Sequence, residues 1–188
     1  MNAIETHALT RRFGAHTAVD GLDLTVRQGE LFALLGVNGA GKTTTLRMLS
    51  GLLQPTGGEA DILGFRLTQQ PQEIKRRINL SPQETAVAPN LTVRENLELI
   101  AGIYGASRRE AAQRAAETIA EFHLGEVERS RAKTLSGGWQ RRLSIAMALI
   151  SQPQLVFLDE PTLGLDVLAR RELWQVIRSL RGRVTVIL

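Results

Sequence analysis

The 188-residue chain contains no cysteine. It therefore has neither a disulfide framework nor a thiolate metal site, a composition that suits a reducing compartment. No apolar run approaches the roughly 20 residues that cross a bilayer as a helix. The N-terminus lacks the basic-then-apolar order of a secretory signal. These absences predict a soluble chain that meets a membrane only through a partner. A large excess of one charge is missing too: 23 Lys plus Arg against 19 Asp plus Glu leave a net +4. The sequence pI of about 10.3 is high enough to mark a nucleic-acid binder. The basic residues, however, are spread along the chain in pairs such as Arg76-Arg77, Arg108-Arg109, Arg141-Arg142 and Arg170-Arg171. Most of these pairs fall on predicted helices, where solvated faces are expected, so nucleic acid is not the expected partner. The length suits one well-buried domain, or one core with a subdomain attached.

What the chain does contain is a glycine-rich loop in a specific context. The apolar run Leu31–Leu35 leads into Gly36, Val37, Asn38, Gly39, Ala40, Gly41, Lys42, Thr43 and Thr44, and Thr44–Leu49 can continue as a helix. Strand, glycine loop, Lys-Thr, helix is the context of a phosphate-binding P-loop. Three glycines let the backbone curl so that successive N–H groups face one anion. The following helix adds its unpaired amides and the positive end of its dipole. Lys42 is placed to reach terminal phosphates and Thr43 to ligate Mg²⁺. The chain is thus expected to bind a nucleoside triphosphate.

Residues 2–35 read as short strands joined by turns. Ile4, Leu9 and Phe13 mark the first, Val19 to Val26 the second, and Leu31–Leu35 a third that is apolar throughout. A wholly apolar strand predicts burial on both faces and a parallel sheet. Gly51 is a helix stop, Glu59–Leu63 a further strand, and Glu73–Arg77 a helical turn before Ile78–Leu80. The period then changes. Thr92-Val93-Arg94-Glu95 and Ser107-Arg108-Arg109-Glu110 are capping boxes, each opening a helix, and a third helix runs from about Trp139 to Ile150. Residues 85–150 thus form an all-helical insert between α/β segments 1–84 and 151–188. The α/β pattern resumes with the apolar strand Leu155–Leu158, a helix capped by Asp166, and a strand from Val184.

Two more stretches carry chemistry. Leu155–Leu158 delivers Asp159 and Glu160 to a strand end, where ligands bind in open α/β folds. By itself this could be two solvated acids. Downstream of a P-loop, Asp159 is placed to hold Mg²⁺ and Glu160 to polarise an attacking water. Ser136-Gly137-Gly138, at a helix N-terminus, offers a hydroxyl and two amides to a second anion. Standing alone it would read as a helix cap; beside a single P-loop it suggests that two chains share one nucleotide.

Together these residues resemble the nucleotide-binding domain of ATP-binding cassette (ABC) proteins. Gly36–Thr43 matches the Walker A motif, Leu155–Glu160 the Walker B with its catalytic Glu, and Leu135–Gly138 the family signature, in order and spacing over essentially the whole chain. The resemblance implies an α/β P-loop NTPase (RecA-like) core, an N-terminal antiparallel β subdomain and an inserted all-helical subdomain. It implies Phe13 as an aromatic stacking on adenine, Gln83 as the loop glutamine contacting Mg²⁺ or the attacking water, and Asp166 as a residue of the dimer interface. Two such domains would close head-to-tail on ATP–Mg²⁺, each P-loop completed by the partner's Ser136 and Gly138, and drive a transmembrane permease from the cytoplasmic face of the membrane. The stretch from Asn90 to Leu97 is similar to drug-exporter members.

Two departures accompany the resemblance. The fifth signature position is Trp139 rather than the usual Gln, with Gln140 next. The family places a switch His just after the strand that begins at Val184, whereas the histidines are His7, His16 and His123. Residues 1–188 are therefore expected to read as a truncated domain that binds ATP and hydrolyses it poorly. The rival readings are a non-transport ABC ATPase acting on nucleic acid or ribosomes, favoured only by the basic pI, and a nucleotide-binding module without turnover.

Overall fold

A computed structural model describes all residues, 1–188. The chain divides into two compact units, Met1–Leu80 with Gln154–Asp159 and Leu180–Leu188, and Ser81–Pro153 with Glu160–Ser179.

The strands are β1 (Asn2–Phe13), β2 (His16–Arg27), β3 (Leu31–Phe32), β4 (Gly57–Ile62), β5 (Phe65–Arg66), β6 (Ile78–Ser81), β7 (Leu155–Leu158) and β8 (Thr185–Ile187). They form two four-stranded sheets, ordered β2-β1-β4-β5 and β3-β8-β7-β6. The first is antiparallel throughout. In the second, β8 runs parallel to both β3 and β7. An α/β fold with an N-terminal antiparallel sheet is what the family resemblance implies, but two details of the residue reading differ.

The short strands expected over residues 2–27 are two strands of 12 residues each. Strands this long bend without breaking because β1 slips register against β2 at several points, one of them beside Ala8, whose φ is 48°. The Thr6 hydroxyl repairs the ladder there, donating to Leu22 O and accepting from Leu24 N, each at 2.8 Å. The third strand, expected over Leu31–Leu35 and buried on both faces, is a strand only at Leu31–Phe32 and is half-buried. Leu34 N still donates to Leu188 O at 2.8 Å. Beyond it the backbone leaves the sheet to form the glycine loop, which carries Leu35 out to 92% exposure.

By contrast β7 is buried at all four positions. Leu155 and Phe157 join Ile4, Leu9, Ile62 and Ile187 in one apolar cluster. Helix α1 (Lys42–Leu49) adds Leu46, Met48 and Leu49 to it. The helix stops at Gly51, whose φ of 70° and amide bond to Met48 O (2.9 Å) form a left-handed cap. A short α2 (Pro71–Lys75) leads into β6.

The second unit holds α3 (Val93–Ile103), α4 (Arg108–Glu121), α5 (Gly137–Leu149) and α6 (Val167–Ser179). Both expected capping boxes are present. Thr92 and Ser107 each accept from the amide three residues on, and Glu95 and Glu110 return to the cap amides at 2.7 and 2.8 Å. The Thr92 backbone amide, helped by its hydroxyl, holds the Glu95 carboxyl below the usual range. The Ser107 hydroxyl and then its amide do the same for Glu110. Asn96 is fully buried and serves the loop before α3: its Oδ1 accepts from Ala88 N at 2.8 Å, and its Nδ2 donates to Ala88 O, Leu91 O and Thr92 O at 3.1, 3.3 and 2.9 Å.

Two outcomes follow for stability. Asn96→Ala removes four hydrogen bonds from the half-buried loop, leaving Ala88 N without its partner, and is expected to cost roughly 2–4 kcal/mol in urea denaturation; a loss near zero would mean that the loop repairs itself. The Glu95 and Glu110 carboxyls have lowered folded-state pKa values. Their stabilising contribution is therefore full above the ordinary glutamate value of about 4.3 and is lost as pH falls through the lowered values. The stability gap between wild type and a Thr92→Ala/Ser107→Ala double variant should narrow as pH falls from about 6 to about 3. A gap independent of pH would count against the ionised boxes.

Candidate functional site

In the first unit, Gly36–Thr43 winds from β3 into α1. The Lys42 ammonium closes over its own loop, donating to Gly36 O at 2.7 Å and Val37 O at 3.1 Å. Ala40 N turns back to Val37 O at 3.1 Å. Gly41 sits at the helix start with φ 82°, and a Cβ there would meet Ala18 O at 2.3 Å and Val19 Cγ2 at 3.1 Å. No residue but glycine lets the loop lie this close to β2.

Helix α1 receives no side-chain cap and has no acid in its first turn. Helices α3 and α4 satisfy theirs with complete boxes, and Asp166 Oδ1 accepts from Ala169 N at 2.8 Å at the start of α6. Only α5, of the remaining long helices, matches α1 in lacking both a side-chain cap and an acid. The two bare helix starts are thus the ones that carry the glycine loop and Ser136-Gly137-Gly138. Free amides with a positive dipole end suit anionic oxygens.

The Thr43 hydroxyl donates to Asp159 Oδ1 at 3.1 Å across 116 residues of sequence. Asp159 ends the buried strand β7 and is itself only 8% exposed. No group of three or more His, Cys, Asp or Glu gathers as a metal cage. A hydroxyl and a carboxylate are hard oxygen donors, and so few of them fit Mg²⁺, which keeps waters and takes phosphate oxygens for the rest of its shell.

Phe13, the aromatic expected on adenine, is not a core residue. It stands 46% exposed beside the β1–β2 turn, with the Arg11 guanidinium 4.5 Å from its ring centroid. Arg11 Nη1 in turn donates to Gln54 O at 2.8 Å.

In the second unit, Ser136 and Gly137 are exposed at the start of α5. The loop before them is tied down by Gln140, whose Nε2 donates to Ala132 O at 3.1 Å and Leu135 O at 3.2 Å. Gln140 therefore braces the signature from behind. Trp139, in the fifth position, takes the Arg142 guanidinium over its ring at 4.6 Å, and Arg142 also pairs with Glu172 on α6. A Cβ on Gly138 would lie 3.1 Å from Ala169 Cβ, so α5 and α6 touch at the signature itself.

Gln83 has an exposed side chain, and its carbonyl accepts from Arg141 Nη1 at 3.2 Å. Glu160 has a φ of 45°, unusual for a residue with a side chain. That turn lets Leu163 N reach Glu160 O at 3.1 Å. The structure thus joins Thr43 to Asp159, and through Arg141 joins Gln83 to the residue after Glu160.

The expectation that the Arg141-Arg142 pair lies on a solvated face is wrong. Every residue from Arg141 to Ala148 is buried, so α5 is buried on all sides. The available signal was its composition: Leu143, Ile145, Ala146, Met147, Ala148 and Leu149 leave no polar face for the arginines to occupy.

Gly41→Ala is expected to push the loop off β2, weakening equilibrium binding of a fluorescent ATP analogue at least about ten-fold. Unchanged binding would show that the loop tolerates a shift of its helix start.

The profile of the ABC transporter family matches residues 19–163. The chain is 45% identical over 186 residues to the daunorubicin/doxorubicin resistance ATP-binding protein DrrA of Streptomyces peucetius, covering 99% of this chain and 56% of that protein. It is 38% identical over 177 residues to the probable multidrug ABC transporter ATP-binding protein YbhF of Escherichia coli, covering 94% of this chain and 31% of the other. The chain thus spans little more than half, or less, of these curated relatives. A solved ATP-binding subunit of an ABC transporter superposes with a TM-score of 0.83 at 32% identity, covering 99% of this chain and 78% of that one. The fold is that of an α/β P-loop NTPase, and the chain belongs to the ABC transporter family.

Proposed function

We propose that the chain binds and hydrolyses ATP to energise a membrane exporter, as the ATPase component working at the cytoplasmic face beside a transmembrane permease. The observation that carries this reading is the Thr43–Asp159 pair at a glycine loop whose helix start is bare. Relatives named for daunorubicin, doxorubicin and multidrug transport support the exporter class. No helix of the chain is long and apolar enough to cross a membrane, so the permease is a separate protein or segment.

In this reading the amides of Gly36–Thr44, including those of Asn38, Gly39, Ala40 and Thr44, hold the phosphates, and Lys42 neutralises their charge. Phe13 stacks on adenine. Thr43, Asp159 and Gln83 would hold Mg²⁺, which when bound draws charge from the phosphate oxygens. Glu160 orients and deprotonates the attacking water. Two chains meet head-to-tail, with Ser136, Gly137, Gly138 and Asp166 of each facing the other's nucleotide. Catalysis is by positioning and charge stabilisation, with no covalent intermediate on the protein. Residues 1–188 contain no histidine after His123, and this segment by itself is proposed to bind ATP well and turn it over slowly.

Glu160→Gln should keep ATP affinity, lower single-turnover hydrolysis at least about 100-fold, and accumulate an ATP-bound dimer on size-exclusion chromatography. Normal hydrolysis by that variant would remove Glu160 from its role. Lys42→Ala should instead abolish binding. Turnover by residues 1–188 at the rate of a longer chain containing them would refute the proposed slow hydrolysis.

A further inference from the structure

Arg141 is the fifth residue of α5 and is 4% exposed. Its Nε donates to Pro161 O at 3.0 Å. Its Nη1 donates to Gln83 O at 3.2 Å and also contacts Pro82 O. One planar guanidinium therefore grips two segments that are far apart in sequence. A lysine ammonium, a point charge without a fork, has no equivalent geometry. The side chain starts from the helix that the signature opens, so it links that helix to the Gln83 loop and to the turn following Glu160.

Three further details give the grip direction. These bonds end on main-chain carbonyls, so the Gln83 side chain stays exposed while its backbone is fixed. One turn further along α5, the Ser144 hydroxyl lies 3.3 Å from the Ser81 hydroxyl, in a buried contact that holds the start of the same loop. On the other side, Pro161 follows the left-handed Glu160. A residue with a side chain keeps that conformation only where its surroundings hold it, and the bond to Pro161 O fixes the peptide plane one residue on.

We propose that Arg141 is a positioning residue for ATP hydrolysis: it locks the backbone of Gln83 and the backbone leaving Glu160 to the signature helix. The two groups assigned to the attacking water then share one rigid support. In this role Arg141 acts through the main chain and not on the reacting atoms. This rests on the function proposed above, and in particular on the roles of Gln83 and Glu160.

The test compares Arg141→Met and Arg141→Lys with wild type, using fluorescent-ATP affinity, single-turnover hydrolysis with enzyme in excess, and amide hydrogen exchange. Met keeps the length and apolar packing of the side chain without the fork; Lys keeps the charge. Arg141→Met should hydrolyse at least about ten-fold more slowly with ATP affinity changed by less than about two-fold, and Arg141→Lys should lie between. Exchange should quicken at the amides of residues 83 and 84 and of 160, 162 and 163 together, while α3 and α4 stay as in wild type. A purely structural role would weaken binding and hydrolysis in parallel and loosen the whole helical unit, which overturns the proposal. Wild-type hydrolysis and exchange in the variants would overturn it as well. Should Arg141→Met fail to fold, Arg141→Lys decides by the same two readouts. Failure of wild type to bind ATP would instead bring down the underlying function, a result distinct from any variant effect.

Discussion

The hydrogen bond from Thr43 to Asp159 is the contact on which the nucleotide half of the structure depends. It can form only if two independent requirements are met. The glycine loop must hand α1 over at the right height, which the approach of Gly41 to the Ala18 carbonyl enforces. Strand β7 must hold its end in place, which burial of all four of its residues enforces. An error in either would leave a nearly buried carboxylate without its hydroxyl. Each hydrogen bond to a buried carboxylate offsets part of its desolvation cost, so the site and the core stabilise each other.

The helical unit solves a different problem. It has no sheet to fix its loops, and polar side chains do so instead. Asn96 ties the segment before α3, Gln140 the segment before α5, and Arg141 two segments at once. All of them donate to main-chain carbonyls. Apolar packing alone would allow these loops several arrangements; directional bonds select one.

Much of this was legible in the sequence where the signal is local. The glycine loop, the two capping boxes, Gly51 as a stop, the apolar β7 and the Asp166 cap depend on neighbours within a few residues. What was not legible depends on distant partners. Arg141 reads as one of several surface arginine pairs until the carbonyls of Pro82, Gln83 and Pro161 are seen around it. Leu31–Leu35 has a strand's composition, yet only the pairing with Val186 and Ile187 shows where the strand stops. Phe13 has the composition of a core aromatic, and its exposure is set by its position next to a hairpin turn.

The strand order has a consequence for the history of the chain rather than for its chemistry. The loop follows β3 and Asp159 follows β7, but these strands are not neighbours; β8, residues 185–187, lies between them and pairs with both. On a ribosome, the β1–β2 hairpin can close early, since its partners are adjacent in sequence. The two halves of the phosphate site cannot be registered against each other until some of the last residues of this segment have emerged. Competence to hold a nucleotide is therefore acquired only once residues 185–187 can pair with both strands.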